Sequence, residues 1–253
     1  MGSRNVFQIL TLFPDTVGCF FGESIIKRSI ERGVIRIDLI NIRDFSREKH
    51  RKVDDYPFGG GRGMLLMPDP LFRALESIDE RGHVVYLNPM GRVLNQNFVR
   101  DLSEKPVVTL ICGHYEGIDQ RVIDTFVDDE ISIGDYIMTG GEIAAAVLVD
   151  AISREIDDTL GNCESKFEES FDATGLLEYE QYTRPSEYRG MKVPEVLLSG
   201  DHGRIERWRM RRRLINTLER RPDLLARSRL SDEYEQLLHE LEEERNNERR
   251  ERD

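Results

Sequence analysis

No stretch of the 253-residue chain approaches the roughly 20 consecutive apolar residues that a membrane-spanning helix needs, and the opening "MGSRNVFQIL" has no basic region leading into a long apolar run. A soluble, cytoplasmic chain is expected, with no membrane partner. Cysteine is scarce: Cys19, Cys112 and Cys163 stand far apart, which suits neither a disulfide framework nor paired zinc ligands. They read as free thiols in a reducing compartment, and no metal ligand set is predicted. No glycine-rich stretch is followed by the Lys and Ser/Thr of a Walker loop. "GGGRG" (59–63) follows the polar "DDYPF" and not a strand, so it fails the context of a dinucleotide-binding turn. A nicotinamide dehydrogenase is thereby remote. Positive charge is also in deficit, with 36 Lys and Arg against 48 Asp and Glu and a net charge of −12, which speaks against nucleic acid as a partner until the distribution is read.

What is present is an ordinary globular composition, 39% hydrophobic and 8% aromatic, enough for a sizeable core. Apolar runs of strand type (5–14, 34–42, 83–89, 107–113, 130–135) alternate with segments of helical spacing (23–33, 68–79, 94–102, 117–126, 141–154). That alternation predicts an α/β domain over 1–159 with a mainly parallel sheet. The rhythm breaks in the acidic, glycine-punctuated stretch "EIDDTLGNCESKFEESFDATG", so residues 160–174 are expected to be a flexible linker. Helices at about 202–219 and 231–245 then predict a small helical C-terminal domain over 175–253.

Three loops leave the C-terminal ends of predicted strands: "YLNPMG" (86–91), "CGHYEGID" (112–119) and "SIGDYIMTGGE" (132–142). In an open parallel sheet this edge is where ligands sit. Glycine and proline there free backbone N–H and C=O groups to approach a flat ring closely. With no Lys or Arg inside 131–142 to hold a phosphate, a nucleoside without one is the ligand that fits. For any single glycine a tight turn is the better explanation, but not for three such loops at one sheet edge.

Taken together, "YPFGGGRGM", "GHYEGIDQRV", "SIGDYIMTGGE", "YTRP" and "VPEVLLSGDH" closely resemble the bacterial tRNA (guanine-N1)-methyltransferases of the knotted SPOUT superfamily, from about residue 5 to about 240. The resemblance implies a deep trefoil knot, which strand and helix patterning alone would exclude. It also implies an S-adenosylmethionine site, an obligate homodimer with the site at the subunit interface, and a tRNA substrate methylated at N1 of the guanosine 3′ of the anticodon. By resemblance, Tyr86, Leu87, Asn88 and Pro89 of the first loop and Gly113 of the second surround the methyl donor, with Glu116 as a polar partner. From the third come Ser132, Ile133, Gly134, Asp135, Tyr136, Ile137 and Met138, then Gly140 and Gly141. A cationic, phosphate-free donor needs backbone groups and an acid, and Lys would repel it.

Guanine N1 carries a proton at neutral pH, so a base must take it while charge gathering on O6 is stabilised. The family's base is an Asp in the linker, and the matching position here is Glu169, one methylene longer, with Glu168 as its neighbour and rival. The family's purine-positioning Arg matches Arg154. Without the resemblance, Glu169 reads as a solvated charge and Arg154 as a helix-end cation favoured by the dipole.

Two further stretches point to RNA. Residues 204–213, "RIERWRMRRR", hold six Arg against one Glu; Arg204, Arg207 and Arg211 share one side and are expected to meet phosphate, while Trp208 and Met210 face the core. The competing reading pairs this helix with the acidic tail. Arg62 in "GGGRGM" is a candidate contact to tRNA or the partner subunit, or part of a plain turn, and His202 either lines the guanine pocket or follows a helix cap at Asp201 or Ser199. A non-catalytic RNA-binding dimer of the same fold is the alternative function, and methylation of another RNA position is a third. The residues leave participation of Mg²⁺ open.

Overall fold

A computed structural model of the chain describes residues 5–159 and 169–250, and the chain divides into two compact units, Met1–Gly161 and Asn162–Asp253. The expected base's rival, Glu168, and Cys163 lie outside the described residues.

The first unit is a three-layer α/β structure. Its elements run β1 (Asn5–Thr11), α1 (Pro14–Cys19), α2 (Ser24–Glu31), β2 (Ile35–Asn41), the two-residue β3 (Asp54–Asp55) and β4 (Leu65–Leu66), α3 (Pro68–Glu76), β5 (His83–Val93), α4 (Gln96–Ser103), β6 (Val107–Cys112), α5 (Gln120–Phe126), β7 (Asp129–Ser132) and α6 (Glu142–Glu155). Five strands form one sheet in the order β2-β1-β6-β5-β7, and all four pairings are parallel. β6 at the centre is buried at all six positions, as a parallel strand covered on both faces must be.

Alternate residues supply two cores. Phe7 and Ile9, Val85 and Leu87, and Val108 and Leu110 meet α1, α2, α4 and α6 on one face. Leu10, Val84, Tyr86 and Ile111 meet α3 and α5 on the other. At their carboxyl ends the strands release the three loops foreseen as a ligand edge. β5 continues past its expected end: after a register shift between Leu87 and Arg92 the chain pairs with β7 again, so "NPMG" is a bulge within a strand and not its terminus.

The second unit contains the hairpin β8 (Glu187–Tyr188) and β9 (Met191–Lys192), α7 (Glu195–Leu198), α8 (His202–Arg220), α9 (Pro222–Leu225) and α10 (Asp232–Arg250). Its core is Leu176, Met210, Leu214, Tyr234, Leu237 and Leu241. Met210 is buried and Trp208 half-buried, its ring edge-on to Tyr179, as the helix pattern foresaw. Residues 169–174 form a hydrogen-bonded loop that belongs to this unit: Phe171 N–H donates to Leu176 C=O (2.8 Å) and Glu178 N–H to Ser170 Oγ (2.9 Å). Ser, Thr and Asp in that stretch satisfy the backbone locally, an option that composition alone does not reveal.

Candidate cofactor cavity and nucleic-acid interface

The three loops enclose a cavity of about 340 Å³ at the carboxyl edge of the sheet. Every cofactor-binding residue expected from the sequence lines it except Asp135. Asp135 is exposed, because Tyr136 N–H bonds back to Gly134 C=O (3.0 Å) and throws the intervening residue to the tip of a tight turn. Gly134 permits that turn: its φ is +150°, and a Cβ there would stand 2.5 Å from the Tyr136 ring. Gly141 serves close packing, since a Cβ would lie 2.7 Å from Cys112 Cα. The second and third loops are joined by Gly141 N–H to Gly113 C=O (2.9 Å) and by a bridge between His114 and Gly140.

A side-chain array escaped the sequence reading. Glu142, the first residue of α6, is 5% exposed, and Thr11 Oγ1 donates to its Oε1 at 2.6 Å while His114 Nε2 lies 2.7 Å from its Oε2. Phe13 packs its ring against His114 at 4.9 Å. One carboxylate thus ties the ends of β1 and β6 to the start of α6. In sequence Glu142 is fully accounted for by the helix dipole, and Thr11, 131 positions away, carries no signal. Asn88 similarly shapes the first loop, donating to Glu130 and accepting from Met90 N–H (2.6 Å).

Among the described residues no Lys or Arg lines the cavity, and the ionisable lining residues are Glu116, His114 and the tyrosines. Burial pushes the Tyr86 hydroxyl up to about 12, so it stays a neutral donor. Burial, helped by Glu142, also holds the Cys112 thiol well above its ordinary value. With Glu116 as the lining carboxylate and no lining Lys or Arg among the described residues, a cavity of this size is compatible with a cationic nucleoside that carries no phosphate. Among the described residues no group of three or more His, Cys, Asp or Glu could hold a metal ion.

Arg62 is exposed, and its neighbour Gly63 lies against the Glu116 side chain. Leu66 N–H to Gly117 C=O (3.0 Å) and Asp119 N–H to Leu66 C=O (3.1 Å) dock the 59–66 loop on the cavity's second loop. Arg154 is half-buried in the last turn of α6, twelve residues from Glu142 and so about 18 Å along the helix from the cavity end.

In the second unit Asp201 caps α8, accepting from Arg204 N–H at 3.1 Å, which leaves His202 exposed in the first turn. The three candidate phosphate ligands differ. Arg207 Nη2 donates to both carboxylate oxygens of Glu240 (2.9 and 3.0 Å) and Arg211 makes a two-nitrogen fork with Glu244 (2.5 and 3.2 Å), which is the competing acidic-tail reading. Arg211 in turn holds Glu244 below the usual carboxylate range. Arg204 is exposed and has no carboxylate partner among the described residues.

A parallel α/β sheet with a cavity among glycine-rich loops at its carboxyl edge, followed along the chain by a helical unit rich in arginine, suits a cofactor-dependent enzyme. The family model described as tRNA (guanine-1)-methyltransferase TrmD matches residues 6–227, and the chain belongs to that family. A tRNA (guanine-N(1)-)-methyltransferase of Caldanaerobacter subterraneus subsp. tengcongensis is 52% identical over 93% of this chain and 98% of its own length. Those of Lactiplantibacillus plantarum and Clostridioides difficile are each 50% identical, over 92% and 88% of this chain and 96% and 98% of their own lengths.

Proposed function

We propose that this chain transfers a methyl group from S-adenosylmethionine to N1 of the guanine 3′ of the anticodon in tRNA, working in the cytoplasm as a homodimer with a trefoil-knotted cofactor domain. The observation that carries this reading is a cavity that no Lys or Arg lines among the described residues, in a chain of this family. When bound, S-adenosylmethionine supplies an electrophilic methyl group on a sulfonium. The backbone of the three loops holds the adenosine, and Glu116 offers a lining carboxylate. Glu169 takes the N1 proton, and the Arg154 guanidinium orients the purine and stabilises negative charge at O6.

The distance along α6 supports two copies per site, because a chain whose Arg154 stands about 18 Å from its own cavity end needs a second α6 to bring that cation to the reaction. Exposed Ile143 and Val147, one turn apart on α6, and Phe13 and Phe20 flanking α1 beside it, form an apolar surface suited to a second copy. In this reading residues 1–159 serve the cofactor and 175–253 the tRNA, and the stretch 160–174 between them ends in the loop 169–174 that bonds within the second unit.

The test is radiolabelled methyl transfer to unmodified tRNA, with the product nucleoside identified by mass spectrometry. Wild type yields N1-methylguanosine, and Glu169→Gln lowers kcat by about 10²-fold or more. Absence of transfer by wild type with tRNA binding intact would establish the non-catalytic binder instead.

A further inference from the structure

The strongest unexplained feature lies at the foot of the segment carrying the candidate base. Arg213 of α8 and Asp172 are both buried, their side chains 6% and 4% exposed, and they pair at 2.7 Å. A buried charge pair is retained at a desolvation cost, and an apolar pair of similar volume often serves stability as well. This pair does more than neutralise itself. Arg213 Nη2 also donates to Thr174 Oγ1 (3.2 Å) and Glu169 C=O (3.5 Å), Nε to Leu177 C=O (3.2 Å), and Nη1 to Tyr234 Oη (3.5 Å). Asp172 Oδ1 accepts from both Thr174 N–H (2.9 Å) and Thr174 Oγ1 (2.6 Å), and Asp172 N–H donates to Glu169 C=O (3.3 Å). Both partners of the ion pair therefore converge on the backbone of Glu169.

A second, independent observation lies between them. Phe171 has φ +66°, a region that side chains other than glycine rarely occupy. Such a conformation persists where the surroundings over-determine it, and it concentrates at functional segments. Here the over-determination is the loop's own bonding, Phe171 N–H to Leu176 C=O, together with the Arg213 fork on either side.

Resting on Glu169 as the base, we infer that Arg213 and Asp172 are positioning residues for it. The guanidinium fixes the backbone from which the carboxylate projects, and the extra methylene of Glu is directed by an anchored Cα. Neither residue touches the reacting atoms. The proton still passes from guanine N1 to Glu169, and the ion pair keeps its charges throughout.

The experiment is a double-mutant cycle on the full-length chain with saturating S-adenosylmethionine and tRNA. Arg213→Lys keeps the charge and loses the planar fork; its kcat is expected to fall about 10- to 100-fold, the scale of a small misplacement of a reacting group. S-adenosylmethionine affinity, measured by calorimetry, stays at the wild-type value. In a Glu169→Gln background the same substitution changes kcat less than twofold, since there is no base left to position. The paired replacement of Arg213→Met with Asp172→Leu keeps an apolar filling, melts cooperatively, and is expected to be as slow as Arg213→Lys.

A folded paired variant with wild-type kcat would overturn the inference, as would Arg213→Lys slowing the Glu169→Gln enzyme by the same factor as wild type. Those results leave Glu169 as the base. Full activity of Glu169→Gln itself removes the base assignment and the inference together.

Discussion

Replacing Thr11 by valine preserves the shape of the side chain and deletes one proton donor. That donor serves a buried carboxylate, Glu142 Oε1, at 2.6 Å. A hydrogen bond to a charged acceptor contributes about 1.5–3 kcal/mol, and an acceptor left unsatisfied in the interior bears its full desolvation cost. Thr11 Oγ1 also accepts from Phe13 N–H at 2.9 Å. Phe13 is 44% exposed, so water replaces much of that second bond, and the carboxylate dominates the loss.

The expected destabilisation is therefore about 2 kcal/mol, which for a unit of this size lowers Tm by about 4–8 °C. The same carboxylate holds His114 through its other oxygen and follows Gly140 and Gly141 directly, so freeing one oxygen loosens two of the three cavity loops. S-adenosylmethionine affinity should fall about tenfold, or 1.4 kcal/mol. Differential scanning calorimetry and titration calorimetry read the two effects, and Thr11→Ser, which keeps the hydroxyl, should recover most of both. A valine variant that melts within about 1 °C of wild type and binds the donor equally well would refute a structural role for the array.

Two other outcomes follow from the same structure. Tyr86 ionises near 12 in the folded protein against about 10 unfolded, so its contribution is complete below pH 10 and is lost as pH rises from 10 to 12; chemical denaturation at pH 8 and pH 11.5 should show Tyr86→Phe losing less stability over that interval than wild type, by about 1–3 kcal/mol. Combining Glu240→Gln with Glu244→Gln releases Arg207 and Arg211, and tRNA affinity in filter binding should rise several-fold with a steeper salt dependence.

The parts of the fold legible in the sequence are those where one physical signal dominates. β6 reads as a strand because "VVTLIC" is apolar throughout, and α6 because its apolar residues recur at helical spacing. Pro14 misleads: it stops β1 as expected but also opens α1, a six-residue helix missed in the sequence, because proline at the first helical position has no N–H to lose. The bulge in β5 is hidden for a related reason, since Pro89 and Gly91 signal an ending whether or not the strand resumes.

For the site, the loops were visible because glycine-rich turns at strand ends have few other uses at that density. The contacts that hold the loops were not, because Thr11 with Glu142 and Asp172 with Arg213 join residues 131 and 41 positions apart. Asp135 stands outside the cavity lining because a three-residue turn over 134–136, which only backbone angles specify, carries it to the surface.

The arginines of α8 decide what a chain with net charge −12 has to offer the phosphates of its proposed RNA substrate. Arg207, Arg211, Arg212 and Arg213 are each matched by a carboxylate of the same unit, Glu240, Glu244, Glu180 and Asp172. The first two pairs join α8 to α10 and their carboxylates are about half exposed, so they exchange a carboxylate for a phosphate more readily than the less exposed Arg212–Glu180 pair or the buried Arg213–Asp172 pair. Such an exchange releases counterions from the RNA but leaves a carboxylate that gathers cations of its own, and the two effects oppose each other in the salt dependence. Wild type should therefore show a shallower slope than the number of arginines implies. With both glutamates neutralised the compensation disappears and the slope grows by up to about 2 units, one for each arginine newly counted against phosphate. An unchanged slope in that variant would mean that Arg207 and Arg211 do not reach phosphate, leaving Arg204 as the contact on that face of α8.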